Sequence, residues 1–291
     1  MDHRSEVREF LSSRRNRLTP DRAGLPAYGG NRRVPGLRRE EVALLSGVSV
    51  DYYTRLERGD LSGASDSVLD AVGRALQLDD AETAHLFDLA RTANASPTAR
   101  RPRARADALR PSIVRLLAAI TDAPAMIRNN YFDYLAANPL GRALYAPLFA
   151  EPAPNSARFA FLNPAAPDFY LEWEKNTRDL VATMRGEAGR NPYDKRLTDL
   201  VGELSTRSDR FRTLWAAHNV RYHRTGVKRL RHPVVGELEL TYETLDLPAD
   251  PGLTLTTYTA EPGTPSADAL RLLGSWSATT APETSRQPQR E

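Results

Sequence analysis

The chain contains no cysteine. Disulfides, thiolate metal sites and thiol nucleophiles are therefore excluded, and the composition fits a reducing compartment. Long apolar runs are missing too. No stretch approaches the ~20 apolar residues of a membrane span, and the N-terminal MDHRSEVREFLSSRRNRL has no apolar core of signal-peptide length. A soluble, cytoplasmic protein is expected. Catalytic signatures are also lacking: there is no P-loop, no Rossmann glycine fingerprint and no nucleophile elbow. His218 and His223 lie near each other, with Glu237, Glu239 and Glu243 further on, but their spacing is not that of a helical zinc pair at i and i+4. His232 precedes a proline at a strand end and reads as structural. No catalytic residue, metal or cofactor is expected, and the enzyme reading is disfavoured. Strong net charge is absent as well. The formal value is +3, so a nucleic-acid role depends on where the positive charge is concentrated.

What is present is length, apolar content and arginine. A chain of 291 residues with 41% hydrophobic residues can bury more than one core. Most of its cations are arginines, whose planar fork suits phosphates and guanine edges. Val7, Phe10 and Leu11 mark one face of a first helix, which Thr19-Pro20 ends. A Gly- and Pro-rich loop, residues 19–36, follows. Two short helices surround Gly47. Ser65 caps a fourth helix with Leu69, Val72 and Leu76 inward, and DDAETAHLFDLARTA is a fifth, acidic at its start and basic at its end. NASPTARRPRARAD then has linker composition. The expected organisation is a helical domain at 1–95, a linker at 96–106, a second domain at 107–276 and a disordered tail at 277–291.

The second half changes character. LRPSIVRLLAAIT reads as a helix, and PAMIRNNYFDYLAANP as a hairpin turning at Asn129-Asn130. PDFYLEWEKNTRDLVATMRGEAG and SDRFRTLWAAH read as helices. In GELELTYETLDL, Leu238, Leu240 and Tyr242 alternate with Glu237, Glu239 and Glu243, which marks a half-buried antiparallel strand. LTLTTYTA is another strand, and PSADALRLLGSW a closing helix. The fold class is multidomain: an all-α five-helix domain followed by an α+β domain with an antiparallel sheet.

The segment LRREEVALLSGVSVDYYTRLERG carries the chemistry. From Arg38 to Ser46 one helix places Val42, Ala43 and Leu45 inward. Gly47 permits a left-handed turn, and Ser49 caps the next helix. There Val50, Tyr53 and Leu56 recur at helical spacing, while Asp51, Tyr52, Thr54, Arg55 and Arg58 face outward. Ala43 is small enough for the two helices to cross closely. Any αα-corner shares a glycine and inward leucines. Three features favour a DNA-reading helix-turn-helix: five consecutive short helices, flanking arginines on both sides, and no competing membrane-type apolar face.

The motif resembles that of the XRE (Cro/C1-type) regulators, and more narrowly their MmyB-like branch. RRVPG before the motif, HPVVGELELTYETL and YTAEPGTPSADALRLLGSW carry the likeness across nearly the whole chain. The resemblance implies a lambda-repressor-like DNA-binding domain followed by a PAS-like domain for a small, fatty-acid-like ligand. Carried over by position, Val50, Asp51 and Arg55 face bases. Arg39, Ser49, Tyr52 and Arg58 fall at phosphate or edge contacts, Arg38 opens a helix whose free N–H groups suit a phosphate, and Thr54 shares the outer face. Asp51 should accept from a cytosine amine or orient Arg55. Glu57 matches a structural position that pairs with Arg14 or Arg15. Arg32 and Arg33, in a loop longer than in commoner XRE domains, either enter a minor groove, grip backbone or are merely solvated. Arg100, Arg101, Arg103 and Arg105 track DNA or, the preferred reading, are solvated.

For the second domain the ligand candidates are Met126, Phe132, Tyr134, Phe159, Phe161, Phe169, Tyr170, Trp173, Trp215 and Tyr242. Aromatics at such spacing are more often core, and about a third are expected to touch a ligand. The expected partners are operator DNA, a hydrophobic effector and a second copy of the chain. The alternative is an antitoxin-like protein whose second domain binds a protein.

Overall fold

A computed structural model describes residues 3–25, 34–94, 109–220 and 224–280. Arg32, Arg33, the linker arginines, His223 and the proposed boundary at 96–106 lie outside the described residues.

The chain opens with α1 (His3–Arg17), α2 (Arg39–Ser46), α3 (Val50–Glu57), α4 (Asp66–Ala75) and α5 (Asp80–Asn94). It continues through α6 (Pro111–Ala119), a hairpin of β1 (Ala125–Asn129) and β2 (Tyr134–Ala137), and the short helices α7 (Pro139–Leu144), α8 (Ala146–Phe149), α9 (Ser156–Leu162) and α10 (Ala166–Phe169). Next come α11 (Trp173–Arg190), α12 (Lys195–Arg207) and α13 (Asp209–Ala216). Three strands follow, β3 (Thr225–His232), β4 (Gly236–Asp246) and β5 (Leu253–Thr259), and α14 (Pro265–Thr280) closes the chain.

Contacts gather these elements into two compact units that interleave along the chain. Residues 1–103 and 178–222 form the first, and residues 104–177 and 223–291 the second. The block 107–276, contiguous in sequence, thus contributes to both.

In the first unit Val7, Phe10, Leu11, Leu37, Val42, Tyr53, Leu56, Leu69, Leu86 and Leu89 share one core. Fully burying side chains of this size is worth about 1.5–3 kcal/mol each. The expected inward stripes of the first and fourth helices are buried, and Ser65 accepts from the Val68 N–H. The stripe of α2 differs from expectation. Leu45 is 36% exposed, while Ser46 is buried and bonds back to the Val42 carbonyl at 2.7 Å. On this short helix Val42 and Ala43 fill the inner face, and Leu45 is turned away from it.

The second unit holds a five-stranded antiparallel sheet in the order β2-β1-β5-β4-β3. As expected, β4 buries Leu238, Leu240 and Tyr242 and exposes its glutamates. Strand β3 is missed by pattern reading because in TGVKRLRH the adjacent Lys228 and Arg229, and then Arg231 and His232, break any apolar–polar alternation. It forms because its whole length pairs with β4, where Arg229 and Arg231 meet Glu239 and Glu237. The helix expected over PDFYLEWEKNTRDLVATMRGEAG is broken: Tyr170 leaves α10 to bridge Leu230 of β3 before α11 starts. Helix α14 continues through residues 277–280, which the sequence pattern assigns to the tail. His232 is indeed structural: its Nε2 lies 2.9 Å from the Ala143 carbonyl, and its Nδ1 accepts from the Val234 N–H.

Candidate functional site

The opening motif folds as two short helices about a left-handed glycine. Gly47 has φ 68°, and the N–H of Val48 turns back to the Ala43 carbonyl at 3.1 Å, closing α2. Ser49 then caps α3 by accepting the Tyr52 N–H at 3.1 Å. This bond takes one acceptor lone pair of the Ser49 hydroxyl and does not use its O–H proton. The N–H of Arg38 donates to Glu41 Oε2 at 2.6 Å, so one of the groups read as open to phosphate is occupied.

Arg38, Arg39, Ser49, Val50, Asp51, Arg55 and Arg58 are exposed, and Tyr52 and Thr54 are half-buried. The structure thus brings these nine residues onto the outer side of α2 and α3. Val50, which helical spacing alone would allow inside, is 48% exposed. The Arg55 guanidinium lies 4.7 Å from the centroid of the Tyr52 ring. That cation–π contact, and not Asp51, orients it: Arg55 forms no salt bridge among the described residues.

Beneath this face Glu57 is almost fully buried and collects two arginines. Arg15 grips it with Nε and Nη2, and Arg39 reaches Oε1 at 3.0 Å. Of the two first-helix arginines considered for this role, Arg15 takes it. Arg14 instead pairs with Glu82 at 3.1 Å. Burial pushes the Glu57 carboxyl up, but the two guanidinium groups outweigh it and hold the group below its ordinary range. Arg39 remains half exposed, so it has donors left for a phosphate.

Helix α1 also limits how the chain enters and leaves the motif. A Cβ on Gly36 would sit 2.4 Å from the Asn16 carbonyl oxygen, and one on Gly59 would sit 2.3 Å from that of Arg4. Gly59 also has φ +96°. Only glycine can cross α1 at these two points.

The aromatic candidates divide between the units. Phe159, Phe169 and Tyr170 pack edge-to-face, with centroids 5.1 to 5.9 Å apart. Tyr242 joins through Tyr258, and Tyr134 packs on Phe149. Met126 and Phe132 are buried, Phe161 is half-buried, and Trp173 donates its indole N–H to the Ala160 carbonyl. Trp215 belongs with the first unit, stacked on Phe211 and lining a pocket with Glu6, Leu89, Gly189 and Thr198.

Three residues that pattern reading missed complete the second unit's cluster. The hydroxyls of Tyr145 and Tyr258 lie 2.9 Å apart, and Lys228 Nζ lies 5.4 Å from the Tyr242 ring and 5.9 Å from that of Tyr170. Lys228 also donates to Asn176 Oδ1. Burial pushes the phenols of Tyr134, Tyr145, Tyr170 and Tyr258 up, so all four keep their protons at neutral pH. Tyr258 is visible in the alternation of β5, but Tyr145 and Lys228 lie in segments with no such signal.

No helix of the described residues is long and apolar enough to cross a membrane. Residues 6–86 match the helix-turn-helix domain family, and residues 109–273 match the MmyB-like transcription regulator ligand binding domain. No curated protein matches the chain.

Proposed function

The chain belongs to the MmyB-like transcription regulators, DNA-binding proteins with an attached ligand-binding domain, and from that premise we propose how it reads DNA and what it senses. The reading helix is α3, entering the major groove with Val50, Asp51 and Arg55 toward base edges. The single observation that carries this is the pairing of an exposed Arg55, held on Tyr52, with a buried anchor, Glu57, on the same helix. A helix fixed on its inner side and carrying an ordered guanidinium on its outer side is built for recognition. Arg55 reads guanine, Asp51 accepts from a cytosine amine, and Val50 touches a thymine methyl. Arg39, Arg38 and Arg58 bind phosphate, with Ser49, Tyr52 and Thr54 at the edge of the contact. The chain binds as a homodimer to half-sites one helical turn, about 34 Å, apart.

The effector is a fatty-acid-like molecule received by the second unit. Its apolar chain is matched by Phe159, Phe169, Met126 and Phe132. Its carboxylate is matched by the Tyr145–Tyr258 hydroxyl pair, which keeps one phenol proton outside its mutual bond, together with Lys228. Selection of duplexes from a random pool by the purified chain, followed by titration with and without saturated C10–C18 fatty acids, tests both halves. A selected consensus whose affinity shifts with one chain length supports the reading. A wild-type chain that selects no consensus overturns the DNA half, and a consensus indifferent to every acid overturns the effector half.

A further inference from the structure

Helix α1 is engaged from two directions within the first unit. Toward α3 it offers Arg15, whose fork holds Glu57 at 2.7 and 2.9 Å. Toward residues 178–222 it offers Glu6, Glu9 and Arg14. Arg185 of α11, fully buried, donates to the Glu6 carboxylate and to the Trp215 carbonyl, and its guanidinium lies 4.1 Å from the centroid of the Trp215 ring. Arg14 donates to the His218 carbonyl, and His218 Nε2 lies 2.9 Å from Glu9 Oε2. Gly189 of α11 packs where any Cβ would sit 2.3 Å from the ring of His85 on α5.

These contacts are of the kind that fixes geometry. Burial opposes the charge on Glu6, yet His218, His85 and Arg185 hold its carboxyl well below the ordinary range. Removing Arg185 would leave that buried carboxylate without its guanidinium partner and with only the two histidine rings beside it, a loss that a protein core does not absorb without moving. Glu6, Glu9 and His218 do bring donor atoms within 4.8 Å of one another, but a cation there would have to displace the guanidinium already on Glu6. The residues supplying the lock, 178–222, fall inside the segment matched to the ligand-binding domain, 109–273.

We infer that Arg185 is a positioning residue for DNA reading: by holding Glu6 it fixes α1, and through Arg15 and Glu57 it fixes α3. The ligand-binding segment of the sequence thereby supplies part of the DNA-reading unit itself. The inference rests on the assignment of α3 as the reading helix, and its test separates the two.

Hydrogen exchange is followed on the full chain for wild type, Arg185→Gln, Arg185→Lys, Arg15→Gln and the Arg15→Gln/Arg185→Gln double variant. Arg185→Gln is expected to speed exchange at least tenfold in α1 and α3, leaving β3–β5 unchanged, and Arg185→Lys, which keeps a charge on Glu6, to do so less. With Arg15 already removed, Arg185→Gln should still act on α1 but no longer on α3. An unchanged α3 in both Arg185 variants, or an α3 response that persists without Arg15, overturns the inference. The lysine variant keeps the test decisive if the glutamine variant fails to fold. Affinity for a duplex selected by the wild-type chain should fall at least tenfold in Arg185→Gln and recover partly in Arg185→Lys. A wild-type chain that selects no duplex defeats the assignment of α3, while exchange still decides whether Arg185 positions it.

Discussion

Arg15 and Glu57 form a two-pronged ion pair across the helix-turn-helix, Nε to Oε2 at 2.7 Å and Nη2 to Oε1 at 2.9 Å. Glu57 is 2% exposed, and the pair ties the C-terminal end of α3 to the C-terminal half of α1. A buried charge of this kind is costly to leave alone and favourable only in company. Replacing Glu57 by alanine should therefore cost about 3–5 kcal/mol, because it strands Arg15 and frees Arg39 together. Urea unfolding followed in the first unit measures it, and a loss below about 1 kcal/mol would mean the pair is a surface ornament.

Arg55 and Arg39 should separate specificity from affinity. Arg55→Ala is expected to cost roughly 1–3 kcal/mol at one base position and to relax preference there. Arg39→Ala should weaken all duplexes alike and reduce the salt slope by about 1. Tyr52→Leu, which removes the ring under Arg55, should reproduce part of the Arg55 effect. Anisotropy titrations on a selected duplex and on single-base variants distinguish these. Equal losses of Arg55→Ala on selected and random DNA would remove it from the base-reading role.

Gly59→Ala should destabilise the first unit by about 1–3 kcal/mol or more, since it combines a positive φ with a clash. The added methyl would lie 2.3 Å from the backbone oxygen of Arg4, which is not a flexible side-chain tip and cannot swing away. Gly63→Ala is the control: its φ is also positive, at +70°, but nothing lies within 4 Å of the new Cβ. Thermal unfolding of the two variants should rank Gly59→Ala as clearly worse.

Acid should loosen the first unit in two stages. Burial lowers the pKa of His85 from its ordinary 6.5, although Glu6 and Asp88 oppose this, so the folded ring stays neutral. The unfolded chain takes up that proton below about pH 6.5, and stability present above this value is lost as pH falls further. Glu6, held well below its ordinary 4.5, adds a second loss beneath about pH 4.5 by the same sign. Urea midpoints between pH 7.5 and 4 should thus decline, and His85→Leu should flatten the upper part. A midpoint that rises on acidification would contradict the neutral state of the buried ring.

On the proposed fatty-acid reading, Tyr258→Phe should weaken binding of the acid at least tenfold, and leaving the buried Tyr145 hydroxyl without its partner should cost about 1–3 kcal/mol of stability. The hydroxyl removed is the partner of Tyr145 at 2.9 Å. Calorimetric titration with the acid checks it, and unaltered affinity would move the headgroup elsewhere.

By itself the sequence determined local structure wherever one side chain decides one backbone choice. Gly47 and Ser49 set the turn and cap of the motif, Leu238, Leu240 and Tyr242 set the face of β4, and Val7, Phe10 and Leu11 set the inner side of α1. Each follows from a period or a conformational preference acting over a few residues. Tertiary structure alone decided which distant groups neutralise one another. It chose Arg15 over Arg14 for Glu57, brought Tyr145 to Tyr258, gathered residues 178–222 with the helical unit and stacked Trp215 on Phe211 within that unit. Those outcomes depend on desolvated charges and rings finding partners far along the chain, and no periodicity records such a partner.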